Sequence, residues 1–112
     1  MTRICYVAGP FRHASRAQMA ANVLTAQAAA VMLVQAGWSP YVPHANLGHA
    51  YGLIPEADAD AANDAFLACA DAIYLLPGWG QSMGARRELE QARKWGLLVF
   101  REASEVPMCH LP

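Results

Sequence analysis

Short apolar runs that alternate with stretches of helical period constrain the fold of this chain more than any other feature. Arg3 to Ala8 reads Arg-Ile-Cys-Tyr-Val-Ala and stops at Gly9-Pro10; Ala72 to Leu76 stops at Pro77-Gly78; Leu97 to Phe100 follows Gly96. Runs this short, apolar throughout and bounded by turn residues, predict strands covered on both faces. Between them, Ser15 to about Ala36 is rich in alanine and sets Met19, Val23, Ala26, Ala30 and Leu33 at helical spacing, with Gly37 as the stop. Ser39 to Pro43 is extended, and its prolines lack a ladder N–H, so it predicts a brief or edge strand. His44 to Glu56 contains Gly48, Gly52 and Pro55 without a clear period and predicts a functional loop, with room for a short turn of helix. Asp58 to Ala70 predicts a helix that is acidic at its start and turns Phe66, Leu67 and Ala70 to the core, and Met83 to about Trp95 predicts the last one. Strands alternating with helices in one short chain mean an α/β fold, a small parallel sheet with helices on both faces.

With 112 residues, 55% of them hydrophobic and 15% charged, the chain has material for one well-filled core, a single domain over 1–112. A net charge of -1 and a pI near 6.4 supply no broad basic field, so polymeric nucleic acid is not an expected partner, whereas a small anion held by local donors is. Cys5, Cys69 and Cys109 are odd in number and lack CxxC spacing, which fits reduced thiols packed as small hydrophobes in a cytoplasmic protein. The first apolar run is too short for a signal peptide, and no run approaches the roughly 18 to 20 residues that span a bilayer, so no membrane partner is expected. The tail from Arg101 to Pro112 has no readable period and is expected to cover an edge or join an oligomer interface.

One carboxylate is out of place. In the last predicted helix Ala85, Leu89, Ala92 and Trp95 form the apolar stripe, and Glu88 falls inside it while the other charged residues take the remaining faces. The turn after a parallel strand is where open α/β sheets bind ligands, and a helix start there offers free N–H groups to an anion. Glu88 is therefore a candidate nucleophile or base, unless it edges out to water or pairs with Arg12 or Arg87. The first turn carries matching groups: Tyr6 near the strand end, Gly9 and Pro10 in the turn, and Arg12 just beyond, a fork for phosphate or a solvated surface residue. Neither GxGxxG nor GxxxxGK[ST] is present, which removes most support for a dinucleotide cofactor or ATP hydrolysis. His44 and His49 lie five apart in a loop with no ligand spacing to a thiol or carboxylate, so no metal is expected. Gly80-Gln81-Ser82-Met83-Gly84 matches the G-x-S-x-G elbow of serine hydrolases, but Pro77-Gly78-Trp79 separates it from the strand and the chain is small for that fold. Ser82 also suits the N-cap of the next helix. Trp79 either stacks on a base or packs on the loop as a lid.

Tyr6-Val-Ala-Gly-Pro10, Cys69-Ala-Asp-Ala-Ile-Tyr-Leu-Leu-Pro-Gly-Trp79 and Ser82-Met-Gly-Ala-Arg-Arg-Glu88 together resemble the nucleoside 2-deoxyribosyltransferase superfamily, and within it a DUF4406-like family of small bacterial and phage proteins. The resemblance runs from the first strand to the last. It implies a flavodoxin-like (Rossmann-like) three-layer fold, a homodimer or higher homo-oligomer, and no cofactor. By resemblance the nucleophilic glutamate falls on Glu88 and the tyrosine that orients it on Tyr6, while Gly9, Pro10 and Phe11 line the sugar pocket. Superfamily members acting on free nucleosides carry an aspartate six residues before the glutamate; the 2'-deoxynucleoside 5'-monophosphate N-glycosidases carry serine there and an arginine after the first turn. Ser82 and Arg12 occupy those positions, with Gly84 at the helix amino end, so the resemblance leans to hydrolysis of a monophosphate. The superfamily's acid near the base, an aspartate about eight residues before the acidic residue opening the third strand, falls on Asn63 with Asp64 beside it. Base transfer between nucleosides and nucleotide binding without turnover are the alternatives. The base pocket is expected from the His44 to Pro55 loop.

Overall fold

A computed structural model of the chain describes residues 3–50 and 52–109, apart from the side chain of His49. Strands β1 (Ile4–Ala8), β2 (Ser39–Tyr41), β3 (Ala72–Leu75) and β4 (Leu98–Phe100) form one parallel sheet in the order β2-β1-β3-β4. Parallel neighbours need crossovers. Helix α1 (Arg16–Gln35) links β1 to β2, α2 (Pro43–Leu47) and α3 (Glu56–Leu67) lie between β2 and β3, and α4 (Met83–Lys94) links β3 to β4. This is a mixed α/β architecture of three layers, with the strand order of flavodoxin-like sheets.

The period of two along β1 divides the core. Cys5 and Val7 face one side with Tyr74 and Phe100 against Ala26 and Leu33 of α1, while Tyr6 and Ala8 face the other with Ile73 and Leu75 against Leu67, Ala85, Leu89 and Ala92. The central pair is locked by register, with Tyr6 beside Ile73 and Ala8 beside Leu75. β2 is an edge strand, where Pro40 is tolerated, with Pro40 beside Cys5. Ser15 caps α1, its Oγ accepting from the Gln18 N–H at 3.2 Å. The described tail covers the α1 side of the sheet: Trp38 Nε1 donates to the Pro107 carbonyl at 2.8 Å and the Cys109 N–H to the Ala36 carbonyl at 2.7 Å, with Val106 and Cys109 packed on the core. The tail's last three residues lie outside the described ones.

Several details depart from the sequence reading. The stretch after β2 is largely regular, with Pro43 at the first position of α2 and a 3₁₀ turn at Gly48–Ala50. α3 starts at Glu56, directly after Pro55. Phe66 is 48% exposed because it leaves the core to stack one ring face on Tyr41, at 4.3 Å between centroids. Trp95 sits past the last turn of α4 as its C-cap and is 46% exposed, so the buried stripe ends at Ala92. β4 is an edge with Leu98 exposed, and Cys69 is exposed in the turn after α3. α1 is, by length and composition, apolar enough to cross a membrane, against the expectation that no run approaches that length; of its residues Ala26 and Leu33 are buried.

Candidate active site

In the order β2-β1-β3-β4 the chain leaves β1 and β3 toward opposite sides of the sheet, and a crevice opens at their carboxyl ends. Two glycines let the turns meet there. A Cβ on Gly9 would stand 2.6 Å from the Leu76 Cβ, and Gly78 holds φ at +84° in the turn facing Pro10. The crevice is a cavity of about 540 Å³. Gly9, Pro10, Phe11 and Arg12 form its β1 wall, Pro43, His44 and Gly48 its α2 wall, Asp60 and Asn63 its α3 wall, and Ser82, Gly84 and Glu88 its α4 wall. A small metabolite fits a space of that size.

The start of α4 is built to meet negative charge. Ser82 is the N-cap, its Oγ accepting from the Ala85 N–H at 3.1 Å, and the first intrahelical bond runs from the Arg86 N–H to the Ser82 carbonyl at 3.0 Å. The N–H groups of Met83 and Gly84 precede that bond, so both are donors at the cavity wall.

Glu88 lies one turn further in, 8% exposed between Ala85, Leu89 and Ala92. Its Oε2 accepts a hydrogen bond from the hydroxyl of Tyr6, which is fully buried on β1. Burial pushes the Glu88 carboxyl up to about 7; the Tyr6 bond and the Arg87 charge work against that rise, and Asp64 and Asp60 add to it. Burial first, then the Glu88 charge and hydrogen bond, raise Tyr6 well above the usual phenol, so Tyr6 stays protonated and donates. Arg12 does not reach Glu88. Its guanidinium pairs with Glu56 at 2.9 Å and lies 3.8 Å from Asp60.

Asn63 and Asp64 part company. Asn63 lines the cavity, its Oδ1 accepting from the Tyr41 hydroxyl at 3.2 Å, while that hydroxyl accepts from Asn46 Nδ2 at 2.6 Å. This chain of bonds fixes the amide and leaves Asn63 Nδ2 as its donor. Asp64 points to Arg87, whose Nη1 donates to both its oxygens at 2.8 Å, and is not among the cavity-lining residues. Trp79 does not line the cavity either: half-buried at the start of the 3₁₀ turn Trp79–Gln81, it packs against the core cluster that holds Tyr6, Leu75 and Leu89.

Residues 4–101 match a family described as Domain of unknown function (DUF4406). The chain belongs to this family. No curated protein matches it. The DUF4406 domain runs from the first residue of β1 to just past β4, so both glycine turns, Tyr6 and Glu88 lie inside it. The domain also holds site residues that the sequence reading passed over. Asp60 lies one turn before Asn63 and Asp64, and Glu56 one turn before that, an acidic face at four-residue spacing that marks α3 as a wall. His44 is buried on the α2 wall, its Nε2 2.9 Å from the Pro10 carbonyl, and burial lowers its pKa, so the ring is neutral and holds the first turn in place. The side chain of His49, five residues on, lies outside the described ones.

Proposed function

We propose that the cavity cleaves the N-glycosidic bond of a 2'-deoxynucleoside 5'-monophosphate, with Glu88 as the nucleophile. The observation that carries this reading is a buried carboxylate at a topological switch point, oriented by a buried phenol and surrounded by a cavity of metabolite size. The resemblance to nucleoside 2-deoxyribosyltransferases supports it. Glu88 attacks C1' as the C1'–N bond breaks, and the base leaves with the bonding electron pair and is protonated from solvent water, to which Asp60 later returns the proton it takes. Donation from Asn63 Nδ2 offsets the charge that develops on the base. Water then attacks C1' of the glutamyl ester, giving deoxyribose 5-phosphate and restoring the carboxylate; Asp60, on the same cavity wall, takes the water's proton. Tyr6 holds one carboxylate oxygen throughout. Ser82 and the N–H groups of Met83 and Gly84 receive the 5'-phosphate, where the helix dipole favours an anion.

A second reading has its own support. Arg12 is already engaged by Glu56 and Asp60, which leaves the cavity wall with three carboxylates to one guanidinium and favours an uncharged nucleoside, with deoxyribose passed to a second base. Incubation with a panel of deoxynucleosides and their 5'-monophosphates, read by chromatography for free base, separates the two. Base release from monophosphates that Glu88→Gln lowers at least about a thousandfold, as loss of a nucleophile does, supports the first reading. Base exchange confined to nucleosides supports the second. Nucleotide binding with no release from either set would reduce the domain to a binding module.

A further inference from the structure

We infer that the hydrogen-bonded relay Asn46–Tyr41–Asn63 selects the departing base, an inference that rests on the glycosidase reading above. The base it favours is a dioxopyrimidine, which leaves as its own anion, over an amino base, which leaves readily only once protonated. The relay joins three elements, with Asn46 on α2, Tyr41 on β2 and Asn63 on α3. The Tyr41 hydroxyl has one proton to give. Because that hydroxyl accepts from Asn46 Nδ2 at 2.6 Å, its proton goes to Asn63 Oδ1 at 3.2 Å. Asn63 lines the cavity, so with its oxygen taken it keeps Nδ2 for a ligand.

The relay is held from the side. The Tyr41 ring stacks on Phe66 with 4.3 Å between centroids and 12° between planes, and it packs against the Tyr6 ring at 5.5 Å. These two ring contacts fix the line along which the Tyr41 hydroxyl points, so the exposed Phe66 serves the site rather than the core. Burial raises the Tyr41 phenol, which keeps its proton in the relay. Asn46 and Tyr41 are not among the cavity-lining residues and act through Asn63, as positioning residues.

A neutral amide donates a hydrogen bond without giving up a proton. It therefore helps a base that carries its own electron pair away. In a dioxopyrimidine the pair from the C1'–N1 bond spreads from N1 onto the two carbonyl oxygens, and a donor at such an oxygen strengthens as the charge develops. Water protonates the anion after it departs. Cytosine and adenine hold the pair less well and leave readily only when a ring nitrogen is protonated first, which needs an acid beside the base. The carboxyl and imidazole groups that line the described cavity are otherwise engaged: Glu88 is the nucleophile, Asp60 receives the proton of the attacking water, Glu56 pairs with Arg12, and the His44 Nε2 proton meets the Pro10 carbonyl. Asp64, next to Asn63, is held by Arg87 and does not line the cavity.

Release of uracil, cytosine and adenine from their 2'-deoxynucleosides and 5'-monophosphates, followed by chromatography from about pH 5 to pH 9, tests this. Wild type is expected to favour uracil over both amino bases by at least about tenfold in kcat. Asn46→Asp places an acceptor alone beside Tyr41 and draws the hydroxyl proton to itself. Asn63 then turns to donate to Tyr41 and shows Oδ1 to the base, so uracil release is expected to fall about tenfold in kcat with KM nearly unchanged, while cytosine release changes little. Asn63→Asp supplies an acid, and its cytosine-to-uracil ratio is expected to exceed that of wild type at least about tenfold near pH 5 and to narrow as pH rises. Both substrates share the ionisation of Glu88, so the ratio is free of it. Circular dichroism checks folding. Should Asn46→Asp misfold, Tyr41→Phe releases the amide instead, with an expected loss on uracil of about two- to tenfold. Equal release of the three bases by wild type, or an equal loss on all three in Asn46→Asp, would overturn the inference and leave the glycosidase reading in place. No release from any substrate would end that reading and the inference with it.

Discussion

The hydroxyl of Tyr6 on β1 donates to the carboxylate of Glu88 on α4, a contact spanning 82 positions of sequence between a fully buried phenol and a carboxylate at the cavity wall. The bond stabilises the ionised carboxylate against a burial that favours the neutral one. A nucleophile must be ionised, so kcat/KM for base release is expected to rise with pH through an apparent value near 7. In Tyr6→Phe the opposing term is gone and the limb moves upward. A hydrogen bond to a charged group is worth about 1.5 to 3 kcal/mol, or roughly one to two pKa units, so activity at neutral pH falls about five- to fiftyfold. Part of it returns at pH 9. A profile that drops without moving would assign Tyr6 to packing alone.

The same carboxyl makes stability depend on pH. Its folded value, about 7, lies above the ordinary 4.5, so the folded state holds this proton more tightly than the unfolded one. That contribution is fully present below about 4.5 and is lost as pH rises through about 7, a change on the order of 3 kcal/mol if burial acts in full. Glu88→Gln keeps an acceptor for Tyr6 and removes the titration. Its Tm relative to wild type is expected to climb between pH 5 and pH 8. Parallel Tm curves for the two proteins would show that Glu88 ionises without penalty.

The fold was legible where period and punctuation agree. Tyr6-Val-Ala followed by Gly-Pro, and Ile73 to Leu76 followed by Pro-Gly, mark the two central strands, and the Gly9 and Gly78 turns they announce are the ones that frame the cavity. Glu88 stood out because a carboxylate on an apolar stripe costs free energy unless something answers it, and Tyr6 does. Which residue answers it cannot be read locally, since β1 and α4 meet only through the sheet order; resemblance alone pointed to Tyr6. The misjudged residues share one cause. Phe66, Trp95 and Leu98 have apolar side chains at positions where the element ends or the sheet stops, and hydrophobicity carries no sign of an edge. Arg12 lines the cavity, and its partners Glu56 and Asp60 were not legible because α3 meets the first turn only through the fold.

Asn63 and Asp64 are neighbours in sequence with different surroundings, and substitution separates them. Asn63 lines the cavity with its amide fixed by Tyr41 and Asn46, while Asp64 is engaged by Arg87. Burial raises the Tyr41 phenol, which keeps its proton available to Asn63. Loss of one neutral hydrogen bond to the departing base is worth about 0.5 to 1.5 kcal/mol, so Asn63→Ala is expected to lower kcat by about two- to tenfold with the largest effect on the poorest leaving bases. Asp64→Asn should be nearly flat across bases. Steady-state kinetics on a series of bases checks this, and a base-dependent loss in Asp64→Asn with none in Asn63→Ala would reverse the assignment.

Under the proposed hydrolysis of a monophosphate, Arg12 is the residue whose substitution tests the phosphate contact. Its guanidinium is held by Glu56 at 2.9 Å, and the Glu56 side chain is 67% exposed, so the pair is a solvent-facing one of small intrinsic worth, about 0 to 1 kcal/mol. A phosphate dianion arriving at Ser82 and the α4 amino end competes with that carboxylate on better terms, because a phosphate offers the fork two oxygens and a larger charge. Glu56→Gln frees the guanidinium and is expected to tighten a 5'-monophosphate a few-fold without changing the matched nucleoside. Arg12→Ala is expected to weaken the monophosphate by about 1.5 to 3 kcal/mol, the range for a charged hydrogen bond, again sparing the nucleoside. The two variants thus move one substrate in opposite directions. Calorimetric titration of both ligands into a Glu88→Gln background, where no turnover interferes, measures it. Equal losses on both ligands in Arg12→Ala would make Arg12 a strut between the first turn and α3, leave the cavity with its excess of carboxylates, and return the uncharged nucleoside to first place as substrate.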